Sequence, residues 1–271
     1  MQLIADNINI MNGRVATALA QQDAKPITDL AMHLSHLGIQ GIDLNPGPPS
    51  GQGNAHMALC LQAVQSKTGL PLWLDSNNPQ ILHQALGLCP NPAVINGFSL
   101  EPHKVHGILP LAVDFQVPIV GFLLHPDGHV PTGVEDRLQL ASELMQVCAD
   151  AGLPEDHLII DPVLAPLIWD DGSTQAGHVL SFLHFLPDLS ATPVQTVVGL
   201  SNLVSGLTHV AAPYLEAFYL SRLAEAGLSY ALCNVQHKLL RFSATFSASI
   251  DQHRVLALAE FEPLLPDNTL S

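Results

Sequence analysis

Eight short apolar runs, each followed by a longer amphipathic pattern, leave this chain few folds to choose from. The runs are Leu3-Ile4-Ala5, Gly41-Ile42-Asp43-Leu44, Leu72-Trp73-Leu74, Ala93-Val94-Ile95, Val117 to Leu124, Leu158-Ile159-Ile160, Thr196 to Leu200 and Tyr230 to Cys233. They are continuous rather than alternating, as expected for parallel strands buried on both faces. Helical spacing fills the gaps. Segment 26–37 places Ile27, Leu30, Ala31, Leu34 and Leu37 on one stripe, and segment 134–149 does the same with Val134, Leu138, Ala141, Leu144, Met145 and Cys148. Segments 213–226 and 238–258 complete the set, the former ending at Gly227 as a C-terminal cap. Eight strand–helix units in one chain of this length take about 34 residues each, the allotment of a (β/α)8 barrel. A doubly wound open sheet also alternates strand and helix, but no glycine-rich dinucleotide fingerprint follows the first strand. The expected fold is α/β: one TIM barrel, with residues 1–271 as a single domain.

Charge removes several functions. The 24 acidic residues outnumber the 9 Lys and Arg, for a formal charge of −15, so the chain cannot neutralise many phosphates and nucleic-acid binding is disfavoured. Two long stretches lack charged residues, 76–100 and 189–215. Pro90, Asn91 and Asn96 interrupt the first and Pro193, Ser201 and Asn202 the second, so neither reads as a bilayer-spanning helix. The N-terminus has no basic region before Asp6. A soluble, cytoplasmic protein is expected. Cys60, Cys89, Cys148 and Cys233 are widely spaced and read as small buried residues.

The polar residues cluster where the strands end. Asp6, Asn7 and Asn9 follow the first; Asp43 and Asn45 close the second; Asp75, Ser76, Asn77 and Asn78 the third; Asn96 the fourth. His125 and Asp127 follow the fifth, Asp161 the sixth, Ser201 and Asn202 the seventh, and Asn234 the eighth. In a barrel these ends converge on the C-terminal mouth. Asp and Asn also start turns and cap helices, but that habit does not account for a set nearly free of Lys and Arg. A ring of Asp and Asn in an apolar cup suits a flat neutral heterocycle rich in N–H groups, because a carboxylate accepts paired N–H bonds and a carboxamide both donates and accepts. It does not suit a polyphosphate.

Seven pieces in register carry a family resemblance: Ile4-Ala5-Asp6-Asn7-Ile8-Asn9, Ile42 to Gly47, Leu74 to Asn78, Ile95-Asn96-Gly97, Gly128 to Pro131 with Asp136-Arg137-Leu138, Ile160-Asp161-Pro162, and Val198 to Asn202. The chain resembles the pterin-binding barrels, and among them the methyltetrahydrofolate:corrinoid protein methyltransferases. The resemblance implies that Asp75, Asn96 and Asp161 bind the pterin ring, with Asp161 on its amino edge. It implies that Asp6, Asn9, Asp43 and Asn45 line the cup beneath. Asn202 would be the catalytic residue, bonded near the ring nitrogen that bears the methyl group. Tetrahydrofolate is then a substrate, the corrinoid arrives on a partner protein, no metal belongs to the chain itself, and a homodimer is expected. His125, His129 and Asn234 are candidates for contacts to the corrinoid or the folate tail. The chain departs from the family pattern in two places: Asp6-Asn7 stands where Glu-Arg is usual, removing a cation from the mouth, and Asn234 stands where Asp is frequent.

Three other readings compete with this one. Dihydropteroate synthase shares the pocket but must hold a diphosphate, and here Asn202 and Leu203 follow Ser201 while Lys238 and Arg241 lie a helical turn beyond the eighth strand. A non-catalytic pterin-binding protein is the second. The third is a metal site: His33/His36 and His103/His106 lie on expected helix faces turned to solvent, and His125/His129 lack a third ligand at a recognisable spacing.

Overall fold

A computed structural model describes residues 1–48, 53–208, 212–241 and 243–244. The eight strands are β1 (Gln2–Asn9), β2 (Gly41–Asn45), β3 (Leu72–Asp75), β4 (Ala93–Phe98), β5 (Ile119–Phe122), β6 (Leu158–Asp161), β7 (Gln195–Gly199) and β8 (Tyr230–Cys233). All pair in parallel, in sequence order, and β8 closes onto β1. Helices α1 (Gly13–Ala20), α2 (Lys25–Ser35), α3 (Gly53–Gln65), α4 (Pro79–Leu88), α5 (Pro102–Gly107), α6 (Leu109–Phe115), α7 (Val134–Asp150), α8 (Gly172–Phe185) and α9 (Ala212–Glu225) cover the outside. The TIM barrel expected from the alternation is the observed fold. The helix expected at 238–258 falls mostly outside the described residues, as does the middle of the Pro/Gly-rich loop after β2.

The pleat determines what each strand sends inward. Every second residue faces the barrel interior, and one layer there is apolar: Ile4, Trp73, Val94, Val120, Ile159 and Val197 pack together, joined by Phe122, Tyr230 and Leu232. Trp73 fills the centre and meets the Tyr230 ring edge-on at 5.3 Å. Room for its indole comes from Gly41, where a Cβ would stand 3.2 Å from the indole nitrogen and 3.0 Å from Ile4. The larger core lies between the barrel and its helices. The apolar layer closes the barrel from below, so the next inward residue on each strand faces the open mouth.

Strand boundaries differ in places from the sequence expectation. β1 runs on to Asn9, so Asp6, Asn7 and Asn9 lie within the strand rather than after it. Its register against β2 slips between Ala5 and Ile8, and this bulge brings both Asp6 and Asn7 to the mouth. Asn96 likewise lies inside β4, as Asp43 does inside β2 in keeping with its expected run.

One buried cation braces the mouth from behind. Arg137 on α7 is fully buried. It donates to the Pro162 carbonyl at 3.1 Å, the Gly133 carbonyl at 3.2 Å and Gln175 Oε1 at 2.9 Å. Gln175 in turn donates to Asp171 at 2.8 Å. The guanidinium thus ties α7 and α8 to the residue that follows Asp161. Arg137→Met takes the guanidinium donors from the Pro162 carbonyl and Gln175 Oε1, while the Gly133 carbonyl keeps the backbone N–H of residue 137. The expected loss is about 3 kcal/mol, seen as a melting midpoint lower by roughly 6–12 °C. An unchanged midpoint would remove the bracing role.

Candidate active site

The inward residues one step above the apolar layer are Asp6 over Ile4, Asp43 over Gly41, Asp75 over Trp73, Asn96 over Val94, Asp161 over Ile159 and Gly199 over Val197. They line a cavity of about 710 Å³ at the C-terminal ends of the strands. Asn7, Asn9, Asn12, Asn45, Ser201, Asn202, Asn234 and Gln236 complete the polar wall, while Ile10, Met11, Phe122 and Leu232 supply apolar surface. No Lys or Arg lines the cavity among the described residues.

Carboxamides hold the carboxyls in place. Asn96 Nδ2 donates to Asp43 at 2.9 Å, and Asn45 Nδ2 donates to Asp75 at 2.6 Å. The Val163 N–H donates to Asp161 Oδ1 at 2.8 Å, and the Gly199 N–H reaches the same carboxyl. A carboxylate has about four acceptor sites, so part of Asp161's capacity remains for a ligand. Burial raises every acid in the cavity. It pushes Asp161 up to about 7 against the pull of its two backbone donors. It pushes Asp75 up to about 6 against the Asn45 bond, and Asp6 up to about 6 against a bond from Ser201. Asp43 is raised well above the ordinary carboxyl range by burial and then by the charge of Asp75, with Asn96 opposing. Such groups pair readily with N–H donors and exchange protons near neutral pH.

The turn after β7 carries the remaining polar groups. Asn202 folds back over Gly199, where a Cβ would crowd its Nδ2 at 3.2 Å. The backbone of Gly199 reaches Asp161 and the neighbouring Ser201 reaches Asp6, so the turn that carries Asn202 is tied to both carboxyls.

Asn7 and Asn234 have a role their sequence did not disclose. Asn7 Nδ2 donates to Asn234 Oδ1 at 2.6 Å, and its Oδ1 accepts the Val235 N–H at 3.2 Å. The two departures from the family pattern therefore bond to each other as a neutral clamp between β1 and the end of β8. The absent cation has a structural counterpart.

All of Asp6, Asn9, Asp43, Asn45, Asp75, Asn96, Asp161, Asn202 and Asn234 line the one cavity. His125 and His129 do not. His125 Nε2 lies 3.1 Å from Asp136, and His129 Nδ1 lies 3.0 Å from Asp127, on the loop after β5. His33, His36, His103 and His106 are all exposed. No group of three or more potential metal ligands forms among the described residues, and none of the described helices is long and apolar enough to cross a membrane. Cys60, Cys148 and Cys233 are buried and Cys89 partly so. The sequence reading missed Glu216, a buried acid on α9. Its signal was present: an acid at i, i+4, i+7 spacing with Leu220 and Leu223, on a stripe otherwise apolar.

A family model described as pterin binding enzyme matches residues 12–231. The chain is similar to the methylcorrinoid:tetrahydrofolate methyltransferase of Eubacterium limosum, 26% identical over 211 residues that cover 76% of each protein. It is similar to the methionine synthase of Mycobacterium tuberculosis, 22% identical over 227 residues, 79% of this chain but 18% of that one. Among solved structures, a dihydropteroate synthase from Xanthomonas albilineans in complex with 7,8-dihydropteroate superposes with a TM-score of 0.67 at 15% identity, covering 94% of both chains. The dihydropteroate synthase of Thermus thermophilus gives 0.61 at 17% identity, covering 84% of this chain and 88% of that one. At these identities the structural likeness concerns the fold.

Proposed function

The chain belongs to the pterin-binding enzyme family, and from that premise we propose that it moves a methyl group between tetrahydrofolate and the cobalt of a corrinoid carried by a partner protein. The observation that carries this reading is the composition of the cavity wall: carboxyls and carboxamides, Asn7, Asp43, Asn96 and Asp161 of them buried, with no Lys or Arg among the described residues. A reduced pterin offers an amino group and ring N–H bonds, which Asp161, Asp75 and Asn96 can accept or donate to. A diphosphate leaving group needs cations, and among the described residues this wall has none to give it; that observation weighs against a dihydropteroate synthase. The likeness to the Eubacterium limosum methyltransferase over most of both chains supports the same choice.

The chemistry asks little of the protein beyond placement and charge. A methyl group on a neutral tertiary amine leaves slowly because the C–N electron pair would depart on a nitrogen anion, a strong base. A hydrogen bond that stabilises charge at that nitrogen lowers the barrier, and Asn202 can donate through its amide NH2 or accept through its oxygen. The cobalt nucleophile needs no activation from this chain, so the barrel's contribution is to hold the pterin with its nitrogen facing the mouth.

The test is spectroscopic. Purified protein with tetrahydrofolate should convert methylcob(III)alamin to cob(I)alamin and form methyltetrahydrofolate. Folded protein that binds folate yet produces no such change, with free or protein-bound corrinoid, would leave a non-catalytic pterin-binding protein as the better account.

A further inference from the structure

The carboxamides of the cavity wall are not interchangeable, because most have spent their NH2 groups on the protein. Asn7, Asn9, Asn12, Asn45 and Asn96 each donate to a side chain or a carbonyl of the chain itself. Among the described residues, the NH2 groups of Asn202, Asn234 and Gln236 have no such acceptor.

Of these three, Asn234 is the one held in a fixed orientation. The Gln236 backbone N–H donates to Asn234 Oδ1 at 3.1 Å, and Asn7 Nδ2 donates to the same oxygen at 2.6 Å. Asn7 is fixed in turn: it is buried, its Oδ1 accepts the Val235 backbone N–H at 3.2 Å, and its Nδ2 also lies 3.4 Å from Gln236 Oε1. A backbone N–H can only donate, so neither carboxamide can turn over without losing a bond. A carbonyl oxygen has two acceptor sites, and Asn234 has both filled. What it can offer a ligand is its N–H bonds alone.

The height of Asn234 in the barrel follows from the register. Ile4 of β1 pairs with Leu232 of β8, and both belong to the apolar layer. Two residues further on, Asn234 reaches the layer of Asp6, which is also that of Asp43, Asp75, Asn96 and Asp161. Carboxyls dominate this layer, and they accept. A pterin gives them its amino group and its N3–H, but it also carries a ring carbonyl next to N3. An ionised carboxylate repels that oxygen, so a neutral donor has to meet it. Asn202 serves the reacting nitrogen under the methyltransferase reading, and Gln236 is exposed. We propose, on the basis of the pterin-binding reading above, that Asn234 donates to the ring carbonyl and selects 4-oxo over 4-amino pterins, with Asn7 as the positioning residue that keeps its NH2 turned to the ligand.

A 4-amino ring puts N–H bonds where the oxygen was, so donor meets donor. A site built to hydrogen-bond one group rejects its replacement because buried polar groups are left unpaired. A carboxamide free to turn over would accept either ring; a pinned one does not.

Tetrahydrofolate and its 4-amino-4-deoxy counterpart, titrated without oxygen at about pH 9, where both rings are neutral, test the assignment. Wild type should prefer the 4-oxo ligand. Asp161 adds to that preference through the N3 hydrogen, which the 4-amino ring lacks, so the readout is the change in affinity ratio on substitution. Asn234→Asp keeps an oxygen for Asn7 and for the Gln236 N–H but turns the donor into an acceptor. It should lower the oxo-to-amino ratio by roughly 30-fold or more, with the 4-amino ligand bound more tightly than by wild type. Asn234→Ala should lower the ratio roughly tenfold through the 4-oxo ligand alone, and it keeps the test open if a new carboxylate beside Asp6 prevents folding. Asn7→Ala leaves Asn234 in place but free to turn, and should lower the ratio about threefold. A merely structural role weakens both ligands together, so an unchanged ratio in the Asn234 variants overturns the assignment. Losses for tetrahydrofolate that vanish with tail-less 6-methyltetrahydropterin would put the contact on the amide carbonyl of the tail and overturn it as well. A wild-type protein that binds none of these ligands overturns the pterin reading and the assignment with it, whereas the expected ratios support the assignment even in a protein that transfers no methyl group.

Discussion

Methyl transfer by an Asn202→Ala variant should run roughly 100- to 1,000-fold slower than by the wild-type chain, with folate affinity changed by no more than about threefold. The split follows from where Asn202 sits. The pterin's binding edge is matched by Asp75, Asn96 and Asp161, which lie deep in the cavity wall, whereas Asn202 is on the exposed turn above Gly199. A group placed there adds little to ground-state affinity. Its bond counts when charge develops on the reacting nitrogen, and interactions that strengthen only in the transition state appear in the rate constant. Because the side chain is exposed, its removal should cost under about 0.5 kcal/mol of stability, so a slow variant is not an unfolded one. Single-turnover rates and folate titrations on the same preparation make the comparison. Losses of equal size in both would reduce Asn202 to a binding residue.

The barrel was legible because burial on both faces leaves a mark in sequence: eight unbroken apolar runs with amphipathic spacing between them. Most of the cavity wall was legible for a related reason. The pleat sends alternate residues inward, so a polar residue two places after a core residue, as Asp75 is after Trp73 and Asp161 after Ile159, stands just above the apolar layer. Other features needed three dimensions. Asn7 and Asn234 read as separate departures from a pattern, because a hydrogen bond between residues 227 positions apart has no local signature. Arg137 lay on an apolar helical stripe, yet its acceptors are carbonyls and an amide on other parts of the chain. Asp6 and Asn9 were placed after β1 because a bulge carries the strand further than its apolar run suggests. Glu216 and His237 meet only because α9 packs where β8 ends.

Replacing Asp161 with Asn should stabilise the free protein and nearly abolish pterin binding. In the unfolded chain Asp161 titrates near its ordinary value of 3.8, but in the folded protein it is held at about 7. Between those values the folded state binds the proton that the unfolded state has released, so stability falls as pH rises from about 4 to 7 and stays low above that. The sign is opposite to that of a salt-bridged carboxylate, and Asp6, Asp43 and Asp75 share it because burial raises all of them. Asn carries no ionisable group yet keeps an oxygen for the Val163 and Gly199 N–H donors. At about pH 8 the variant should therefore gain about 2–4 kcal/mol, the upper figure being about 1.36 kcal/mol for each pH step between 4 and 7. At about pH 4 the gain should vanish. Binding moves the other way. An amino-heterocycle donates to an ionised carboxylate, so folate should bind wild type with release of a proton and weaken about tenfold per pH step below 7. The variant forfeits two charge-assisted bonds and should bind roughly 100- to 1,000-fold more weakly. Melting curves from about pH 4 to 8 and folate titrations in two buffers of different ionisation enthalpy measure both effects. A variant less stable than wild type at pH 8, or one that binds folate as tightly, would show that Asp161 is held for the fold rather than for the ligand.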